Sequence, residues 1–181
     1  FDILISVIIL IIFSPALAIV SVFIFATDGR PIIYKQSRIG YKGKRFTIFK
    51  FRTMSNVIFK DEKLRLTIIG KILRRTSIDE LPQLINVLNK DMSIVGPRPL
   101  PKIIENKINK FLKIKRRKIL PGITGMSQIN YTGKKRKLTD KINLDLLFID
   151  NYTLYNYFKI ILKTPIVLII RFFKNKSSII K

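Results

Sequence analysis

The stretch ILISVIILIIFSPALAIVSVFIFA, residues 3–26, carries no charged side chain in 24 residues, more than the roughly 20 apolar residues a helix needs to cross the hydrocarbon of a bilayer. It reads as a membrane segment, and that reading sets the fold: the rest of the chain is a domain held at a membrane. Ser14 and Pro15 stand at its middle. Proline lacks a backbone donor and its ring collides with the preceding turn, so the helix is expected to break or kink at Ser14-Pro15. Each arm then holds about 11 residues, a rise of about 16 Å, roughly one leaflet. A re-entrant hairpin and a kinked span are both open, since spanning helices also carry proline. A cleaved signal peptide fits less well because the apolar run is too long, and a buried core helix is the soluble alternative. Residues 1–27 are assigned to the membrane and 28–181 to a second unit. The dense Lys and Arg all come after the segment, which by the positive-inside bias places Asp28 onward on the cytoplasmic side.

Charge and composition then remove most chemistries. The chain has 35 Lys and Arg against 11 Asp and Glu, a formal charge of +24, with no His and no Cys. It cannot build a Ser-His-Asp triad, a Cys nucleophile, a thiolate zinc site or a disulfide. Carboxylates, Lys, Arg, Tyr and hydroxyls remain, so a nucleophile or base is expected to be Asp or Glu. A bound metal is expected to be a hard cation on oxygen ligands, Mg²⁺ if phosphates share the site. So large a positive charge calls for a polyanionic partner: nucleic acid, an anionic membrane, or phosphorylated small molecules.

Among the few acids, two are adjacent in RRTSIDELPQLINVLNKDMSIVGPRP, residues 74–99: Asp79 and Glu80, with Arg74 and Arg75 before them and Arg98 after. Ser77-Ile78-Asp79-Glu80 also spells a capping box, with Ser77 as N-cap and Glu80 as the third helical residue. Leu81, Leu84, Ile85 and Leu88 continue it at helical spacing. A helix start suits a purely structural acid, through the helix dipole, and equally a site where substrate phosphates meet backbone donors. Gly96-Pro97-Arg98-Pro99 is a stiff non-helical turn able to fix one guanidinium for bidentate phosphate contact.

The run IIYKQSRIGYKGKRFTIFKFRTM, residues 32–54, reads as two short strands around a turn at Gly40 to Gly43. Tyr34, Phe46, Ile48 and Phe49 supply its apolar faces, and it ends in Lys50, Phe51 and Arg52. Residues 56–66 are expected as an exposed loop or short helix, with Asp61-Glu62 a surface pair between Lys60 and Lys63. Residues 100–118 read as a helix with eight cations among its apolar residues; it either lies on anionic lipid or is a solvated helix with one core-facing stripe. Residues 155–173, bent at Pro165, look interfacial, with a buried helix as the alternative. The tail 174–181 is expected to fray.

Together these residues resemble the bacterial sugar transferase family, the monotopic phosphoglycosyl transferases that start glycan assembly on a polyprenol phosphate carrier. The resemblance rests on the apolar segment with Ser14-Pro15, on QSRIGYKGKRFTIFKFRTM, on the block from Arg74 to Pro99 and on PGITGMSQIN at 121–130. It implies that Asp79 attacks the β-phosphate of a nucleotide diphosphate sugar, a UDP-sugar above all, and releases the nucleoside monophosphate. Polyprenol (undecaprenyl) phosphate, activated with help from Glu80, then takes the phosphosugar from Asp79. Mg²⁺ near Asp79, the implied metal ligand, offsets phosphate charge. Lys50, Arg52, Arg74, Arg98 and the flanking Pro97 and Pro99 are the implied phosphate-binding set. The neighbouring cations are expected to keep Asp79 ionised, and Glu80 to need a raised pKa. Lys90 stands where the family has Gly before the DMS triplet, Met126 where it has Trp after PGITG, and Leu120 where Arg is common; residues 130–137 are also altered.

The expectation is an α+β, mostly helical membrane-associated domain with a small β-hairpin and interfacial helices, carried on a re-entrant helix at the cytoplasmic face of the bacterial inner membrane. Its expected partners are a nucleotide diphosphate sugar, polyprenol phosphate and membrane lipid, with no nucleic acid. The competing readings are a non-catalytic basic anchor that binds anionic lipid or nucleic acid, and an inactive relative of the family.

Overall fold

In the computed structural model, residues 1–55, 65–130 and 137–174 are described. The Asp61-Glu62 pair, most of the altered run 130–137 and the tail beyond 174 lie outside the described residues.

One continuous helix, α1 (Asp2–Asp28), takes up the whole apolar stretch. The helix does not break at Ser14-Pro15, and its hydrogen bonding accounts for that. The amide that Pro15 lacks would have bonded the Ile11 carbonyl, and the Ser14 hydroxyl donates to that oxygen instead, at 2.8 Å. Hydroxyls commonly satisfy freed carbonyls in membrane helices this way. Only 6 % of the most apolar window of α1 is buried, so it is not the core helix of a soluble domain. Its packed side chains, Ile5 and Ser6 in one arm and Leu17, Val20 and Ile24 in the other, flank a fully exposed stretch at 11–15. Both ends rest on the domain. The Asp2 carboxylate accepts from the Ile94 amide at 3.2 Å and from the Tyr157 hydroxyl, and Arg52 grips the carbonyls at the other end.

The expected hairpin forms from β1 (Ile33–Ile39) and β2 (Arg45–Phe51), antiparallel, with Tyr34 opposite Lys50 and Arg38 opposite Phe46. Cross-strand partners share a face, so Tyr34, Gln36 and Arg38 stand beside Lys50, Ile48 and Phe46. Phe46 and Ile48 are buried, while Tyr34 is half-exposed and Phe49 stands on the opposite face. The four residues expected to supply the apolar faces thus divide between the two, Tyr34, Phe46 and Ile48 on one and the half-buried Phe49 on the other, with only Phe46 and Ile48 buried.

Next come α2 (Ile68–Thr76), a 3-10 segment, Ile78–Gln83, and α3 (Leu84–Leu88). The capping box does not form. Ser77 closes α2 in the left-handed conformation, φ 59°, and makes no side-chain cap bond. Because 3-10 geometry replaces the first α-turns, the expected stripe slips: Pro82, Gln83, Leu84, Asn86 and Val87 are buried and Ile85 is exposed. Asn86 ties this segment to the hairpin by donating to the Thr47 carbonyl at 2.7 Å and accepting from the Phe49 amide at 3.1 Å.

A second, parallel pair, β3 (Ser93–Val95) with β4 (Gly122–Thr124), was not legible in the sequence. It joins the GPRP and PGITG motifs back to back. A Cβ on Gly122 would lie 2.0 Å from the Gly96 nitrogen, so this approach requires glycine. The helix predicted over 100–118 is two, α4 (Lys102–Asn106) and α5 (Lys110–Arg116), because Asn109 caps α5 through the Phe111 amide. The remaining helices are α6 (Met126–Ile129), α7 (Leu138–Asp150) and α8 (Leu154–Lys174), the last running on through Pro165. The core gathers Phe46, Ile48, Val87, Met92, Ile94, Val95, Phe148, Tyr157 and Ile160, with Met126 partly buried against it. α8 buries only one stripe, Tyr157 and Ile160, and leaves Leu154, Phe158, Leu162, Ile166 and Ile169 exposed.

Candidate active site

Tyr34, Gln36, Arg38 and Lys50 of the hairpin, the end of α2, the 3-10 segment and the GPRP turn enclose a cleft of about 660 Å³, within the range of small-molecule sites. Every sequence-predicted polar site residue lines it: Lys50, Arg52, Arg74, Asp79, Glu80 and Arg98.

Glu80 is the hub. Its Oε1 accepts from Lys50 Nζ and from Arg98 Nη2, both at 2.6 Å. Burial alone would raise the pKa of this carboxyl, but Arg98 and Lys50 outweigh it and hold the group at about 2. Asp79 is the reverse case. Its side chain is 8 % exposed, and among the described residues no hydrogen bond or ion pair engages its carboxylate. Burial, and then the charge of Glu80, raise its pKa to about 6 against the smaller opposing effects of Lys50, Arg74 and Arg98. The expected assignment is therefore inverted: the cations are spent on Glu80, so the adjacent acid carries the perturbed pKa. Two neighbouring carboxylates with opposite shifts are the usual arrangement where acids divide chemical roles.

The other predicted residues separate by what their donors already hold. Arg74 Nε donates to the Thr53 hydroxyl at 2.8 Å, at the cleft rim. Its helix approaches so closely that a Cβ on Gly70 would lie 2.0 Å from the Thr53 carbonyl oxygen. Arg52 lines the cleft, but its guanidinium donates to the carbonyls of Asp28 (2.6 Å), Gly29 (2.8 Å) and Arg30 (2.9 Å). Those carbonyls at the end of α1 have no partner within the helix, and Arg52 joins that end to the domain.

Pro97 and Pro99 are buried and Arg98 projects. Having no amide hydrogens on its prolines, the turn is held by its carbonyls: Pro97 accepts from the Gly122 amide (3.0 Å), Arg98 from Arg116 (2.8 Å) and Pro99 from Arg38 (3.2 Å). Arg116 is itself fixed by Asp145 of α7 at 2.9 Å, both buried.

Sequence reasoning missed Arg38, Gln36 and Thr53, which also line the cleft. The alternation of Tyr34, Gln36 and Arg38 with the intervening Lys35 and Ser37 was the available signal, since every second strand residue shares a face. The Arg116–Asp145 pair, 29 residues apart, had no local signal.

Among the described residues no cluster of three or more metal-ligating side chains exists. The donor set still fits Mg²⁺ in its usual mode at phosphate sites, one carboxylate supplemented by water and substrate phosphates. Asp79 is the carboxylate free to serve.

The sequence model of a family described as "Bacterial sugar transferase" matches residues 1–171. The chain is 38% identical over 191 residues to the UDP-glucose:undecaprenyl-phosphate glucose-1-phosphate transferase of Klebsiella pneumoniae, covering 98% of this chain and 40% of that protein. It is 33% identical over 174 residues to the UDP-N-acetylgalactosamine-undecaprenyl-phosphate N-acetylgalactosaminephosphotransferase of Aeromonas hydrophila, covering 90% of this chain and 41% of that protein. With the exopolysaccharide production protein ExoY of Sinorhizobium fredii it shares 34% identity over 191 residues, 91% of this chain and 81% of that protein. The chain thus spans about 40% of the length of the first two relatives.

Proposed function

Because this chain belongs to the bacterial sugar transferase family, we propose that it transfers a sugar phosphate from a nucleotide diphosphate sugar to a polyprenol phosphate, the first membrane step of polysaccharide or glycoconjugate synthesis. The observation that carries this is the unengaged Asp79 carboxylate, buried in a cationic cleft beside a second carboxylate whose charge is already satisfied. With a pKa of about 6, Asp79 is mostly ionised at neutral pH and poorly solvated, which favours nucleophilic attack. Its oxygen forms a bond to the sugar-bearing phosphorus. The bond from that phosphorus to the bridging oxygen breaks, and the nucleoside monophosphate leaves with the electron pair. A phosphate oxygen of the polyprenol phosphate then attacks the same phosphorus, expelling the Asp79 carboxylate and giving the polyprenol diphosphate sugar.

Arriving phosphates compete with Glu80 for Lys50 and Arg98. A carboxylate that loses those partners regains basicity, so Glu80 becomes able to take the proton of an acceptor phosphate only when the site is filled. Arg74 adds charge at the rim. Mg²⁺, held through Asp79 and substrate oxygens, would supply charge neutralisation of the phosphates.

The apolar α1, with both ends on the domain and its middle exposed, supports a re-entrant path in which the domain stays on one face. The basic residues beyond α1 favour the cytoplasmic face.

The test is release of nucleoside monophosphate from a panel of nucleotide diphosphate sugars by the detergent-solubilised chain, with Mg²⁺ and polyprenol phosphate, native against Asp79→Asn. Release lost in the variant, with a phosphosugar adduct on Asp79 in the native protein by mass spectrometry, supports the reading. Equal release from both would show that Asp79 is structural, and silence from the native chain would return the anionic-lipid anchor or the inactive relative.

A further inference from the structure

The proposed transfer uses Lys50, Arg74 and Arg98, and leaves a further cation of the cleft, Arg38, without a task. Arg38 lines the cleft with Gln36 and Tyr34 of β1. Its register partner is Phe46, while Tyr34 pairs with Lys50, so the backbone of Arg38 lies about 13 Å along the strand from the row that carries Lys50. Its Nη1 donates to the Pro99 carbonyl at 3.2 Å and its Nη2 to the side-chain oxygen of Gln36. Both acceptors are neutral. A guanidinium has five N–H donors, so among the described residues most of the donors of Arg38 stay uncommitted, the buried Nε among them.

A structural tie between β1 and the GPRP turn does not account for this side chain, because the backbone already makes one. The Ile39 amide donates to the Leu100 carbonyl at 3.1 Å and bridges the strand to the residue after Pro99. Burial, and next the charge of Arg98, disfavour the charged form of Arg38. Glu80 offsets this only in part, since its Oε1 is held by Lys50 and Arg98. Two cations drawn together in a cleft form a site for an anion between them.

The chemistry at phosphorus selects the anion. Attacking and leaving oxygens lie roughly in line. When Asp79 attacks the sugar-bearing phosphorus, the nucleoside-bearing phosphate departs on the opposite side with the electron pair of the broken bond. When the acceptor attacks that phosphorus and expels Asp79, its phosphate oxygen enters from the side the nucleotide left. One position therefore receives two phosphates in turn, and neither is the one attacked. The charge of Arg98 reaches both Asp79 and Arg38, so a phosphate held between Arg98 and Arg38 adjoins the group that Asp79 attacks.

Resting on the proposed function, we propose that Arg38, braced by Gln36 and the Pro99 carbonyl, binds the phosphate that is not attacked: the nucleoside-bearing phosphate of the donor first, and then the phosphate of the acceptor in its place. Arg38 stays protonated throughout and transfers nothing. Its fork suits two oxygens of one phosphate.

The experiment uses the full chain in detergent with Mg²⁺, a nucleotide diphosphate sugar turned over by the native chain, and undecaprenyl phosphate. Arg38→Met removes the charge and Arg38→Lys keeps it without the fork. The expected result for Arg38→Met is a kcat/KM lowered about tenfold or more for each substrate, the loss of one charge-assisted phosphate contact in each half-reaction. Inhibition by the nucleoside monophosphate weakens by a similar factor, while inhibition by the unphosphorylated nucleoside is unchanged. Arg38→Lys recovers part of each loss. The limb of the pH profile assigned to Asp79 stays near 6. A limb displaced upward would overturn the proposal, since Arg38 would then act by holding Arg98 in place. A loss confined to one substrate would overturn the shared position, and native values for both would overturn the assignment. Weaker inhibition by the nucleoside itself would move the effect to the base or the fold and overturn it too. If thermal melts show that Arg38→Met does not fold, the two kcat/KM values of Arg38→Lys decide by the same criteria. No turnover by the native chain with any donor would overturn the transferase reading, and this assignment with it.

Discussion

Replacing Asp79 with Asn should make the protein more stable and inactive at once. The carboxyl has its pKa raised from 3.8 to about 6, burial first and Glu80 second. A group whose folded pKa is raised favours folding while protonated and opposes it once ionised. Its contribution is intact below the unfolded value near 4 and is lost as pH climbs through about 6. The gap corresponds to about 3 kcal/mol against the ionised form above pH 7, falling to about half of that at pH 5. With the side chain 8% exposed, solvent screening removes little of this. Asparagine carries no charge to desolvate at any pH. Thermal unfolding of Asp79→Asn in detergent should therefore show a higher Tm than native at pH 8, by about 2 to 4 °C for each kcal/mol in a chain of this size. The difference should shrink toward pH 5. A variant no more stable than native at pH 8, or one whose advantage does not change with pH, would refute the claim that this acid is held in a strained electrostatic setting.

The same setting should show in rate. Nucleoside monophosphate release should rise with pH through a limb near 6 as Asp79 ionises, and Lys50→Met should move that limb upward because Lys50 helps keep Asp79 charged; a limb that stays put in the variant counts against it. Gly70→Ala should destabilise by about 1 to 3 kcal/mol in denaturant melts and raise the KM for the nucleotide sugar. The added Cβ meets the Thr53 carbonyl at 2.0 Å, pushing away the helix that carries Arg74. Lys90→Gly should stabilise by about 0.5–1 kcal/mol with activity unchanged, since Lys90 sits at φ 61°, where a side chain collides with the backbone. The last result would also explain the glycine that the family places before the DMS triplet.

The site was unusually legible because its pieces are short and local. Asp79 and Glu80 are adjacent, Lys50 and Arg52 end one strand, and Pro97 and Pro99 stiffen the turn around Arg98, so sequence order already stated which groups belong together. What it could not state is which carboxylate the cations choose. Local spelling left a capping box at Ser77 to Glu80 open beside a phosphate site, and the structure has Glu80 turned to Lys50 and Arg98, which come from 30 and 18 residues away. The pKa assignments went with the wrong partner for that reason.

The sequence by itself determined the long apolar helix, the hairpin and which side chains are present to do chemistry. Hydrophobic length, period-two alternation and an absence of His and Cys are properties of residues and their immediate neighbours. Tertiary structure alone decided the rest. It committed Arg52 to the end of α1 and joined GPRP to PGITG through glycines that touch across the β3–β4 pair. It also left Asp79 buried with no hydrogen-bond or ion-pair partner among the described residues. Each of these depends on groups far apart in the chain meeting within a few ångströms, and burial and charge pairing act through those distances rather than through sequence separation.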